Sequence, residues 1–160
     1  MDLNIEKIAK EISIGNFKSI EDSKISEKDL LSIAKILKNN EINNIKTILN
    51  YMVENNISDS CDWNIGSIIQ HFNINEVIKQ IDSIPVNKRS FLYDSIGLAW
   101  ALGDSGSKNE KIVDFLYEVL NYSRNSEAWW RSSFAIEKLT GKNAINNLKR
   151  IKWMYGWFTK

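Results

Sequence analysis

Apolar residues return at helical spacing along almost the whole chain. Ile5, Ile8, Ala9 and Ile12 follow the i, i+3, i+4, i+7 pattern, and Gly15 ends the run. Ser26 and Asp29 have the spacing of a capping pair ahead of the stripe Leu30, Ile33, Ala34, Leu37, which Asn39-Asn40 closes. Ile45, Ile48, Leu49 and Met52 make the next stripe. The polar stretch Asn55 to Asp62 predicts a loop, and Trp63 to Phe72 a helix. Asn73 and Glu76 have cap spacing before Val77 to Ile84, and Pro85 marks a break. Leu92, Ile96, Ala99 and Leu102 predict one helix over residues 88–102, with Gly103 as the left-handed residue after its end. Ser107 with Glu110 repeats the capping signature before Ile112, Leu116, Val119 and Leu120. Asn125 or Ser126 opens a helix through Leu139 that Gly141 terminates, and Leu148, Ile151, Tyr155 and Phe158 outline a last one. The expected fold is all-α, with eight or nine helices and no strand.

A second regularity lies over the first. A large apolar residue is followed by a small one at Ile33-Ala34, Ile65-Gly66, Ile96-Gly97 and Phe134-Ala135, in steps of 32, 31 and 38 residues. A small residue lets a neighbouring helix come close, so its periodic return predicts a stack of about four helix pairs, a short α-solenoid in a single domain over residues 1–160. An irregular compact bundle is the alternative. Gly66 lowers helix propensity by about 1 kcal/mol relative to Ala, so packing must supply the reason for it.

At 160 residues, 43% hydrophobic and 26% charged, with one Pro and seven Gly, the chain has the composition of an ordered globular domain and not of a turn-rich β fold. Charged residues interrupt Leu3 to Ile14, and no apolar run approaches the roughly 20 residues of a membrane span. A cytoplasmic protein is therefore expected, and the lone Cys61 fits a reducing compartment. The net charge of +1 hides a gradient: residues 51–118 hold ten acids against five bases, whereas 141–160 hold five bases and no acid. An acidic middle points to a basic protein partner more than to nucleic acid, or else to an ordinary solvated surface.

Catalytic chemistry finds little support. His71 is the only histidine and, with one cysteine, cannot make a Cys/His zinc site. No Gly-x-Ser-x-Gly elbow is present, and Gly103-Asp104-Ser105-Gly106 lacks the lysine and strand of a phosphate loop. No cofactor, metal or enzymatic activity is expected. Six tryptophans stand out, among them the adjacent Trp129 and Trp130, about 100° apart on a helix, so that one of them should meet a surface groove. The positions one turn before the small residues read Leu30, Asp62, Tyr93 and Arg131, which suggests a polar rim along one face. Candidate partner-binding residues are Asp59, Asp62, Trp63, Tyr93, Asp94, Asp104, Trp129 and Arg131. Changing Asp62 and Asp94 to Lys is expected to weaken capture and leave helical content intact. The tail joins Lys142, Lys149, Arg150 and Lys152 to Trp153, Tyr155, Trp157 and Phe158, in keeping with a terminal helix covering the core or with a surface for phosphate and bases.

The segments 94–103 (Asp-Ser-Ile-Gly-Leu-Ala-Trp-Ala-Leu-Gly) and 130–139 (Trp-Arg-Ser-Ser-Phe-Ala-Ile-Glu-Lys-Leu) resemble HEAT-like or armadillo-type repeats, although the steps are short for those repeats and their frequent proline is missing. In type, a small helical chain with an acidic middle resembles the immunity proteins of bacterial polymorphic or contact-dependent toxin systems. That resemblance implies a non-enzymatic monomer that covers a cognate toxin in a one-to-one complex, the toxin being a nuclease with a basic groove. A different class is suggested by Trp129-Trp130-Arg131-Ser132-Ser133, which is similar to the Trp-x-Arg-Arg helix start of HEAT-like alkylpurine DNA glycosylases, with Ser132 in place of the second Arg. A general scaffold is a third.

Overall fold

The computed structural model describes residues 3–144, so the last expected helix and all of the basic aromatic tail except Lys142 lie outside the described residues. Within them the chain is helical and contains no strand. The helices are α1 (Ile5–Ser13), α2 (Glu27–Leu37), α3 (Glu41–Glu54), α4 (Asp59–Ile69), α5 (Ile74–Asp82), the single turn α6 (Ser90–Tyr93), α7 (Ile96–Asp104), α8 (Glu110–Tyr122) and α9 (Ser126–Thr140).

Most starts are set by a side-chain oxygen that accepts an orphan backbone N–H of the first turn. Asn4, Ser26, Ser58, Asn73, Ser95, Asn109 and Asn125 do this for α1, α2, α4, α5, α7, α8 and α9. Gly15 and Gly141, at φ of 86° and 73°, supply the left-handed residue after α1 and α9. Several sequence expectations are corrected here. The loop expected up to Asp62 ends at Ser58, because that serine accepts from Cys61 N and starts α4 four residues early. The helix expected over 88–102 is two segments, broken at Asp94-Ser95, where Ser95 begins a new helix by accepting from Leu98 N. The cap of α8 is Asn109; Ser107 instead accepts from Asn109 N.

Packing follows a simple order. α2 lies against α4, α4 against α7 and α7 against α9; a second series runs from α1 to α3, from α3 to α5 and α6, and from these to α8, while α1–α2 and α8–α9 join the two. The periodic small residues sit in the first series. A Cβ on Gly66 would lie 2.6 Å from the Cα of Gly97, and one on Gly97 would lie 2.3 Å from the carbonyl oxygen of Asp62, so α4 and α7 touch backbone to backbone. Gly103 is not a helix-ending residue. It lies within α7, where a Cβ would come 2.7 Å from that of Ala135 on α9. Helix α7 thus carries one glycine toward each neighbour, and the propensity lost is offset by close approach. Their large companions are less uniform: Ile33 and Ile65 are buried, Ile96 half-buried and Phe134 exposed.

Cross-helix hydrogen bonds repeat the same step. Glu41 accepts from Asn73 N, Asp62 from Ser95, Asp104 from both Gln70 and Lys138, and Asn75 from Ser107, at separations of 32 to 34 residues. Because Asp62 meets Gly97 near the start of α4 and Gln70 meets Asp104 just past its end, α4 and α7 run parallel.

Candidate functional site

Helix α4 organises the surface where the candidate residues gather. Asn64, fully buried, uses its amide to hold the preceding loop: Oδ1 accepts from Ile25 N, and Nδ2 donates to the carbonyls of Ile20 and Ser23, all within 2.8–2.9 Å. That loop carries Lys24, whose Nζ stands 5.0 Å from the centroid of the Trp63 ring. Trp63 in turn stacks on Trp100 of α7, ring centroids 5.2 Å apart and planes 13° from parallel. The two rings are half-buried and reach each other because Gly66 and Gly97 remove the side chains that would hold their helices apart.

The stack forms the wall of a groove of about 510 Å³, bordered by Lys24 and Asp59, by Asp62, Ile96 and Gly97, and by Glu127 and Arg131 of α9. Arg131 and Glu127 are one turn apart and 3.7 Å from each other, a loose and exposed pair. Asp59, exposed in the first turn of α4, has a carboxylate that meets no cation or hydrogen-bond donor among the described residues. It also borders an adjoining cavity of about 240 Å³ that includes Asp94 and Arg124.

Asp62 differs from Asp59 in kind. It is only 8% exposed, and its carboxylate accepts from Ser95 Oγ at 2.5 Å and from the backbone N–H groups of Ile96 and Gly97 at 2.9 and 3.1 Å. One helix therefore caps the positive end of another. Burial pushes the carboxyl above its ordinary range, against the opposing pull of Ser95 and of the two amides. Asp62 holds α7 in place, and its acceptor capacity is spent within the chain.

Of the sequence candidates, Asp59, Asp62, Trp63 and Arg131 come together at the groove. Asp94 lies beside it, braced by Arg124 through its backbone N–H at 2.7 Å and its guanidinium at 2.9 Å. Asp104 sits at the far end of α7, paired with Lys138 at 3.0 Å. Two candidates prove to be core residues. Tyr93 is 3% exposed, stacks on Phe115 and donates to Glu118, itself paired with the buried Arg89; the break before α7 turns it away from the row that Gly97 follows. Trp129 is also 3% exposed and donates Nε1–H to the carbonyl of Leu120, so the surface tryptophan of that pair is Trp130, which stacks on the exposed Phe134. The sequence reading missed Lys24, Trp100 and Glu127. Trp100 carried a signal: like Trp63 it lies one turn from the glycine of its own helix, on the side along which α4 and α7 meet.

Nucleophile chemistry is weak at this surface. Cys61 is fully buried, and burial, with Glu21 and Asp62 nearby, pushes its thiol up to about 12. His71 is half-buried in the turn after α4. Among the described residues no group of three His, Cys, Asp or Glu could hold a metal, and no helix is long and apolar enough to cross a membrane. Comparison with protein-family models, curated proteins and solved structures finds no significant match to this chain.

Proposed function

We propose that this chain is a short α-solenoid of about four helix pairs and acts as a non-enzymatic protein-binding module of the immunity type, docking a toxin domain across the α4–α7–α9 face. The observation that carries the reading is the half-buried Trp63–Trp100 stack lining a groove that spans three successive helices of one series. Paired tryptophans at the border of a concave surface are the kind of anchor that dominates protein interfaces. The recurrence of cross-helix bonds near 32 to 34 residues supports the repeat architecture, since each unit then meets only its neighbours.

The acidic middle contributes less to docking than its count implies. Asp62, Asp82, Asp94, Asp104 and Glu118 are all committed to partners within the chain. The anchor is therefore aromatic. Co-expression with the product of the open reading frame immediately upstream, followed by titration calorimetry, tests the proposal. Trp100→Ala should weaken capture about tenfold or more with circular dichroism unchanged, a loss typical of a central aromatic anchor, whereas the remote Glu76→Lys should leave it unaltered. Equal capture by both variants, or no complex at all, would reject it.

One observation favours a second reading, recognition of a nucleobase: Arg131 shares the groove with two stacked indoles, on which bases also stack. Asp59 and Glu127 at the same groove oppose phosphate, and Trp129, part of the glycosylase-like motif, is in the core. Duplex DNA binding at about 150 mM salt that disappears in Arg131→Ala would establish this second reading.

A further inference from the structure

The docking proposal leaves the chemistry of the docked group open, and the groove narrows it. We infer that the Trp63–Trp100 groove receives a cationic side chain, an arginine presented by the partner protein, with its guanidinium on the indole stack and Asp59 as its counter-ion. This inference rests on the protein-binding reading above.

Three observations carry it. First, the stack already holds a cation: Lys24 Nζ lies 5.0 Å from the Trp63 centroid and makes no ion pair among the described residues, so the contact is one between charge and π face. Trp100 lines the same groove and, among the described residues, has no such cation over its own ring, so the guest is assigned to it. Second, the groove contains three carboxylates, Asp59, Asp62 and Glu127, against the two cations Lys24 and Arg131. Asp62 is consumed by the start of α7 and Glu127 leans toward Arg131, which leaves Asp59 as the carboxylate able to take a new partner. Third, a guanidinium suits this combination better than an ammonium. It is planar, weakly hydrated, stacks on an indole and presents a fork of N–H donors to a carboxylate at its edge. The volume of about 510 Å³ accommodates such a side chain together with the segment that bears it.

The test uses the whole chain and small probes. The indole N–H resonances of Trp63 and Trp100 are followed in ¹H–¹⁵N spectra during titration with N-acetylarginine methylamide, with N-acetylglutamate methylamide and adenosine monophosphate as comparators. The arginine probe should shift both indoles saturably, the glutamate probe should not, and Asp59→Asn should weaken the arginine probe about three- to fivefold, as loss of one exposed ion pair does. Asp59 is exposed and, among the described residues, unpaired, so the variant keeps the fold, which an unchanged melting temperature verifies. Absence of a saturable shift, or an affinity indifferent to Asp59→Asn, overturns the inference. Tighter binding of the nucleotide, lost in Arg131→Ala, also overturns it and assigns the groove to nucleobases. Failure here is separable from failure of the docking proposal: a partner captured through Trp100 without help from Asp59 keeps the platform and discards the arginine, whereas no capture discards the platform's proposed role.

Discussion

Asp59 and Asp62 are three residues apart on one helix and look alike in sequence, yet one is an open carboxylate at a groove and the other a buried brace. Lysine at position 62 would remove the acceptor of three hydrogen bonds and set a cation against the positive end of α7. Asp62→Lys should therefore cost about 3–5 kcal/mol and lose helical signal, in contrast to the expectation from sequence that it leaves the helices intact. A milder variant isolates the charge. A carboxyl raised by folding contributes stability below its unfolded pKa and loses it as pH rises through the folded value. The stability of the wild type minus that of Asp62→Asn should accordingly fall as pH rises above the ordinary Asp value of about 4, as read from urea midpoints; a constant or rising difference would show that the three hydrogen bonds outweigh burial. What separates the two aspartates is a contact with Ser95, 33 residues away, and no local pattern around position 62 reveals it. The same limit hid Asn64 and Lys24, whose roles arise only when the loop before α2 meets α4.

The apolar stripes of α1, α2, α8 and α9 were legible, and so were the caps Ser26 of α2 and Asn125 of α9, whereas α8 starts from Asn109 and not from the expected Ser107. The break between α6 and α7 was not legible, because Leu92, Ile96 and Ala99 keep helical spacing straight through it. Ser95 caps locally but is held by Asp62 from another helix, so tertiary contact overrode the period. The backbone contact of α4 with α7 yields a test at this scale. Gly97→Ala gains about 1 kcal/mol in helix propensity, but its methyl group would meet the Asp62 carbonyl oxygen at 2.3 Å with no flexible side chain to yield. A net loss of about 1–3 kcal/mol is expected, seen as a lower denaturant midpoint. A gain in stability would mean that the two helices separate at little cost.

For the whole molecule, the spacing of residues conveyed the architecture better than the site. An all-helical chain with close helix contacts at Gly66, Gly97 and Ala135 was readable. The groove was half readable, since its rim comes from three helices distant in sequence and its second tryptophan is defined only where α4 meets α7. The pairing of the mid-chain acids has a measurable consequence. With five of them engaged internally, long-range steering is weak, so the association rate of the proposed partner should change less than about threefold between about 50 and about 500 mM salt. A steep fall in stopped-flow rates would restore the acidic surface as the guide.

The contacts of α4 point both ways along the chain: Asn64 grips the loop at residues 20–25, and Asp62 receives the first amides of α7. Chains are made from the amino terminus, and folding during synthesis starts from that end. When Ser95 to Gly97 leave the ribosome, the residue that seats them has already been translated, together with the loop that steadies it. The seat of α7 is thus made before its occupant.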